Sequence, residues 1–190
     1  MKGLLGMAKN IERKAIDKVF ILLGSVATLV FIFAGALAWH GYGFATGMVS
    51  DQLSAQKIYF PKKDSPAFAA LSSEDQAQVG KYAGQQLVNG EQAKVYANNY
   101  IAAHLREIGG GKTYAEISEE SMADPANETL KGQKNALFQG ETLRGMLLGT
   151  GYAFWTFGII AKYVAAIAFS GAIIMAVLVL LGIGHVSRSK

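Results

Sequence analysis

The chain contains no cysteine. That excludes a disulfide framework, a thiolate nucleophile and any metal site built on sulfur. Histidine is nearly as scarce, with His40, His104 and His185 lying far apart in the chain. Charge is thin as well: Asp, Glu, Lys and Arg make up 17% of the 190 residues, against about 25% in an ordinary soluble domain. The shortage is local. Residues 19–44 carry no charged side chain, and residues 145–184 carry only Lys162.

What charge there is follows the same division. Lys2, Lys9, Arg13, Lys14 and Lys18 outnumber Glu12 and Asp17 at one end, and Arg188 and Lys190 stand at the other. Residues 45–144 hold ten basic and twelve acidic side chains, a net of −2. A basic excess beside both apolar stretches and none between them predicts two membrane spans, both termini in the cytoplasm, and a central domain on the outer face of the plasma membrane. The basic residues are not gathered on one folded face, so nucleic acid is not an expected partner.

Residues 19–44 (VFILLGSVATLVFIFAGALAWHGYGF) would make a helix of roughly 39 Å, enough to cross about 30 Å of hydrocarbon with some tilt. Ala36-Leu37-Ala38 resembles a signal-peptide cleavage site, but the apolar run is long for a signal core, and an uncleaved anchor is expected. Trp39 and Tyr42 at its outer end are expected interface anchors. The second apolar stretch is too long for one crossing and too short for a hairpin with a loop. A span over 163–185 fits, with Lys162 and Tyr163 anchoring it at the outer headgroups. The apolar residues 145–162 then lie outside the hydrocarbon, where they need cover from the outer domain, the interface or a partner. Their aromatic side chains Tyr152, Phe154, Trp155 and Phe157 are the expected partner contacts. Small residues at helical spacing mark packing faces: Gly24, Thr28, Gly35 and Ala38 in the first span, and Ala161, Ala165, Ala168, Ala172 and Ala176 in the second.

Residues 1–18 place Leu4, Leu5, Met7, Ala8, Ile11, Ala15 and Ile16 opposite the lysines and Arg13, the pattern of a basic amphipathic helix at the cytoplasmic surface. Residues 186–190 form the other cytoplasmic tail. The central residues 45–144 predict short helices around a small core. Residues 45–66 read as a short helix followed by an extended stretch at Ile58-Tyr59-Phe60. Ser73 with Gln76 predicts a helix start, Asn89-Gly90 its stop, and Glu91 the opening of the next helix. Ala97, Ile101, Leu105 and Ile108 line one face of that helix, which Gly109-Gly110-Gly111 ends. Thr113 with Glu116 forms a capping box, and Asp124-Pro125 predicts a helix that runs on toward the membrane, with Gly140 or Gly145 as the places for a break. The expected fold class is an all-α membrane protein, two transmembrane helices flanking a mostly helical extracytoplasmic domain.

Few residues invite a chemical role. Gly109-Gly110-Gly111-Lys112-Thr113 has a phosphate-loop ring to it, but the pattern requires glycine where Arg106 stands, and no strand precedes it. A glycine stop followed by a threonine cap explains all five residues, so no nucleotide is expected. With the histidines this far apart, no metal or haem site is expected. Glu116, Glu119, Glu120 and Asp124 read as a solvated helix face. No cofactor, metal or catalytic set is expected.

The stretches Gln56-Lys57-Ile58-Tyr59-Phe60-Pro61, Tyr82-Ala83-Gly84-Gln85, Tyr96-Ala97, Gly111-Lys112-Thr113-Tyr114-Ala115-Glu116 and Gly140-Glu141-Thr142-Leu143-Arg144-Gly145 resemble a group of small actinobacterial two-span membrane proteins. Some of those relatives carry the label of an aromatic ring-opening dioxygenase, a chemistry for which this chain has no histidine/carboxylate iron site. In size and expected topology the chain also resembles the small accessory subunits of the actinobacterial cytochrome bcc–cytochrome c oxidase supercomplex. That resemblance implies a non-enzymatic subunit acting through contacts with other integral membrane subunits. The other expectation is a free-standing envelope protein whose outer domain binds a lipid or small ligand in an apolar pocket lined by Tyr82, Tyr96 and Tyr100.

Overall fold

The computed structural model describes the backbone of residues 2–188 and the side chains of residues 13–188. The side chains from Leu4 to Ile11, on which the N-terminal amphipathic pattern rests, lie outside the described residues, as do Ser189 and Lys190. The described chain is all-helical, with no strand. Its helices are α1 (Lys2–Ala55), α2 (Pro66–Ala69), α3 (Ser73–Val79), α4 (Gly90–Val95), α5 (Ala102–Ile108), α6 (Tyr114–Ala123), α7 (Glu128–Met146) and α8 (Phe154–Arg188). Two π-helical turns sit between them: π1 (Tyr96–Ile101) joins α4 to α5, and π2 (Leu147–Ala153) joins α7 to α8. The chain divides into two compact units, Met1–Gly43 with Ile159–Lys190, and Phe44–Gly158.

The first unit pairs α1 with α8, and both are long and apolar enough to cross a membrane. Their contact is a narrow seam of small residues. A methyl group added at Gly35 would meet the Phe169 ring at 2.8 Å, and one at Gly24 would meet Val179 at 2.7 Å. Ala165, Ala168 and Ala172 are buried on the α8 side. Away from the seam the large apolar side chains stand free: Phe33 is 72% exposed and Ile167 73%. Thr28, Ser25 and Ser170 turn their hydroxyls back onto carbonyls of their own helix, four residues earlier. Such back-bonding satisfies a hydroxyl where no water is at hand.

The second unit closes a core of Val49, Leu53, Phe60, Leu71, Val79, Leu87, Ala93, Ala97, Ile101, Leu105, Ile117, Leu137 and Leu147. Its short helices begin on side-chain caps, each accepting a backbone N–H that the first turn leaves without a partner. Ser72 caps α3, Asn89 caps α4, Thr113 caps α6 and Asn127 caps α7. The extended stretch at Ile58–Phe60 folds as the β-propensity of Ile-Tyr-Phe dictates. It is fastened by Phe60 N–H to the Gln85 carbonyl and Leu87 N–H to the Ile58 carbonyl, both 2.9 Å.

Several boundaries differ from the sequence expectation. The first helix does not end near Phe44 but runs to Ala55, because Val49 and Leu53 continue an apolar stripe into the core. The α3 cap is Ser72 rather than Ser73, and Asp75, not Gln76, answers it. That helix stops at Val79, so Asn89 opens α4 instead of closing α3. Asp124 ends α6, and Asn127 takes the capping role expected of it. Glu128–Arg188 is helical without interruption at Gly140 or Gly145; the irregularity falls at π2. The Thr113–Glu116 capping box and the glycine stop before it are present as expected.

Candidate functional site

The four aromatic residues expected to meet a partner are split by the structure. Trp155 packs against the core of the second unit and lies over Gly90, where an added Cβ would stand 2.3 Å from the Trp155 Cβ. Phe154 packs on the same core and edge-on to Phe44, ring centres 6.5 Å apart. Tyr152 accepts a hydrogen bond from Lys94 Nζ at 3.3 Å, and the same ammonium lies 4.7 Å from its ring centre. Phe157 alone faces outward, 68% exposed. Part of the cover that the apolar stretch needed is therefore supplied by α4.

The residues expected to anchor the helices at the interface form one group in the first unit. Trp39 and Tyr42 meet at a tilt, ring centres 5.4 Å apart, and Lys162 Nζ lies 5.5 Å above the Tyr42 ring, a cation–π contact that ties α1 to α8. Tyr163 is exposed. Of the small residues singled out on α1 and α8, Gly24, Gly35, Ala165, Ala168 and Ala172 are buried in the seam, and Thr28, Ala38, Ala161 and Ala176 are half-buried at its margins.

The three tyrosines proposed to wall a pocket belong to one run of packed rings. Tyr82 and Tyr96 flank Phe60 at 5.3 and 5.2 Å, Tyr96 meets Tyr100 at 4.9 Å, and Tyr100 meets His104 at 4.6 Å. Burial, with Tyr100 beside it, pushes the Tyr96 hydroxyl up to about 12. His104 Nδ1 donates to the Tyr100 carbonyl at 2.9 Å.

Two polar ties escaped sequence reasoning. Asp75 is buried and receives Ser72 Oγ at 2.8 Å, Asn99 Nδ2 at 2.9 Å and an Arg106 guanidinium nitrogen at 2.8 Å. Burial raises the carboxyl, but the Asn99 and Ser72 hydrogen bonds and the Arg106 charge outweigh it and hold Asp75 below its ordinary value. Arg144 donates from Nε to the Ala97 carbonyl at 3.1 Å and forks onto both Glu141 oxygens. Ala97 lies in π1, so Arg144 fastens α7 to that irregular turn. The only sequence signal for the first tie was Ser72 standing three residues before Asp75. For the second it was an arginine within the Gly140–Gly145 stretch.

The loop Gly109–Gly111 ends α5 with Gly110 and Gly111 at φ 58° and 85°. Lys112 forms an ion pair with Glu120 at 2.6 Å. Thr113 N–H donates to Glu116 Oε2 at 2.7 Å and its hydroxyl donates at 2.8 Å, bonds that hold the Glu116 carboxyl below its ordinary value. Every side chain of the phosphate-loop-like stretch thus has a structural partner. Among the described residues no group of three His, Asp or Glu side chains converges as metal ligands would. No protein-family model, curated protein or solved structure matches the chain.

Proposed function

We propose that the chain is a two-span protein of the bacterial plasma membrane, with both termini cytoplasmic and the Phe44–Gly158 unit outside. In this reading it serves as a non-enzymatic accessory subunit of a larger membrane complex. The observation that carries it is the exposed apolar surface of α1 and α8. Side chains such as Phe33 and Ile167 would each cost on the order of 2 kcal/mol to leave in water, and hydrocarbon or another apolar helix removes that cost. The charge pattern supports the orientation: basic residues flank the helical pair, and the central unit is weakly acidic.

The accessory role rests on two supports. The tyrosines expected to wall a ligand pocket in the outer unit pack against neighbouring rings instead, which favours contacts as its way of acting. Phe157 stays exposed on a stretch whose neighbouring aromatics are already covered. Of the four aromatic residues expected to meet a partner, Phe157 is the one to which contact is assigned. The respiratory cytochrome bcc–oxidase supercomplex is the partner that the resemblance in size and topology points to.

A pull-down of the tagged chain in mild detergent, followed by mass spectrometry and a haem absorption spectrum of the eluate, tests this. Cytochromes and oxidase subunits in fixed ratio are the expected result, and a colourless eluate containing the chain alone overturns it. Phe157→Ala is expected to lower co-purification at least tenfold, as loss of an aromatic contact worth about 1.4 kcal/mol or more requires, with membrane insertion unchanged.

A further inference from the structure

Between α1 and α8, at the end of the pair that carries Arg13 and Arg188, lies a groove of about 420 Å³. One wall is the face of α1 from Asp17 to Gly24; the other is α8 from Met175 to His185. Two glycines open it. Gly24 and Gly182 bring the backbones close, with an added Cβ at Gly182 meeting Ile21 at 3.1 Å, and neither fills the space beside that contact. The lining is aliphatic or aromatic along its length, with Leu178 and Phe20 among it. Its only ionisable members, Asp17 and His185, are both at one end.

That end is also where the basic residues stand. Side chains three or four apart share a helix face. Arg13 and Lys14 therefore lie on the face of Asp17, and Arg188 lies on the face of His185. Among the described residues, no ion pair engages Arg13, Lys14 or Arg188. Asp17 is the one carboxylate among these described side chains, so together they keep a net positive charge.

A long apolar slot within a membrane fills with hydrocarbon, and hydrocarbon alone does not select among lipids. The rim does. A phosphate with no compensating cation of its own balances the rim, whereas a zwitterionic headgroup brings a second positive charge to it. We propose that this groove is a binding site for an anionic phospholipid, one acyl chain in the slot and the phosphate over Arg13, Lys14 and Arg188. Basic pockets between helices on the cytoplasmic side recognise anionic lipids in the same way. The site rests on the membrane-spanning reading above.

The test uses the full-length chain reconstituted in vesicles of equal phosphatidylglycerol and phosphatidylcholine, then released for native mass spectrometry. The expected result is one phosphatidylglycerol retained in preference to phosphatidylcholine. Glutamine substitution at Arg13, Lys14 and Arg188 should erode that preference by about fivefold per residue, and Asp17→Asn should strengthen it. Leu178→Trp, which fills the slot and leaves the rim intact, should lose the bound lipid. Equal retention of the two lipids overturns the site. So does a preference that survives either the glutamine variant or Leu178→Trp. Carbonate extraction of the same vesicles separates the two readings. A chain that resists carbonate but shows no lipid preference sinks only the groove, and a chain that carbonate releases sinks the membrane reading and the groove with it.

Discussion

At the scale of single residues, the tightest site in the Phe44–Gly158 unit, level with Gly140 against Leu105, is Gly90 beneath Trp155. The 2.3 Å between a built Cβ and the Trp155 Cβ leaves no room for even a methyl group, and the opposing atom is held by its own backbone. Gly90→Ala should therefore cost about 1–3 kcal/mol, the usual penalty for overpacking, read as a lower unfolding midpoint of the purified chain. Asp75 makes a second prediction. Its carboxyl titrates below its unfolded value, so ionisation stabilises the fold above about pH 4, and that contribution is lost as the pH falls through the folded value. Asp75→Asn should lower the midpoint at neutral pH by an amount equivalent to about 1–3 kcal/mol and flatten the acid limb of the stability profile. An unchanged acid limb in Asp75→Asn would assign the pH dependence to other groups.

At the scale of elements, what the sequence shows plainly is local, and what it hides is long-range. The Thr113–Glu116 box and the glycines before it could be read because the residues that satisfy one another stand three or four apart. Asn89 could not be read correctly alone. Asparagine suits both a helix stop and a helix start, and it is Gln92 N–H three residues on, within a segment packed under Trp155, that makes it a start. The end of the first helix was hidden for a related reason: charge and Trp39 mark the edge of the apolar run, while Val49 and Leu53 carry the helix on. The Asp75 tie joins residues 24 and 31 positions apart, a distance at which no spacing rule operates. The π turns were not legible at all, since 3.6-residue periodicity shows little of one inserted residue. Arg144 bonds the Ala97 carbonyl in π1. Arg144→Met should accordingly speed amide hydrogen exchange across Tyr96–Ala102 while the chain stays folded; unaltered exchange there would mean that the turn holds its shape without the arginine.

For the whole molecule, the two-unit division tracks the composition. The charge-poor stretches supply the α1/α8 pair, and the charged middle supplies the compact helical unit. The topology assigned to them has a direct check, helped by the lack of native cysteine. Glu119→Cys should react with a membrane-impermeant maleimide in intact cells, and Ser187→Cys only after lysis. The reverse pattern would invert the orientation, and labelling of both in intact cells would contradict two spans.

The turn between α5 and α6 has a practical consequence. Gly110 and Gly111 hold positive φ, are exposed, and have nothing within 4 Å of where a Cβ would stand. The helix that follows starts on its own threonine cap, so its first turn does not depend on what precedes Lys112. Exposed loops of this kind accept inserted sequence well. A short epitope placed between these two glycines would give so small a chain a mounting point for an antibody fragment, enlarging it for electron imaging while leaving both helical ends untagged.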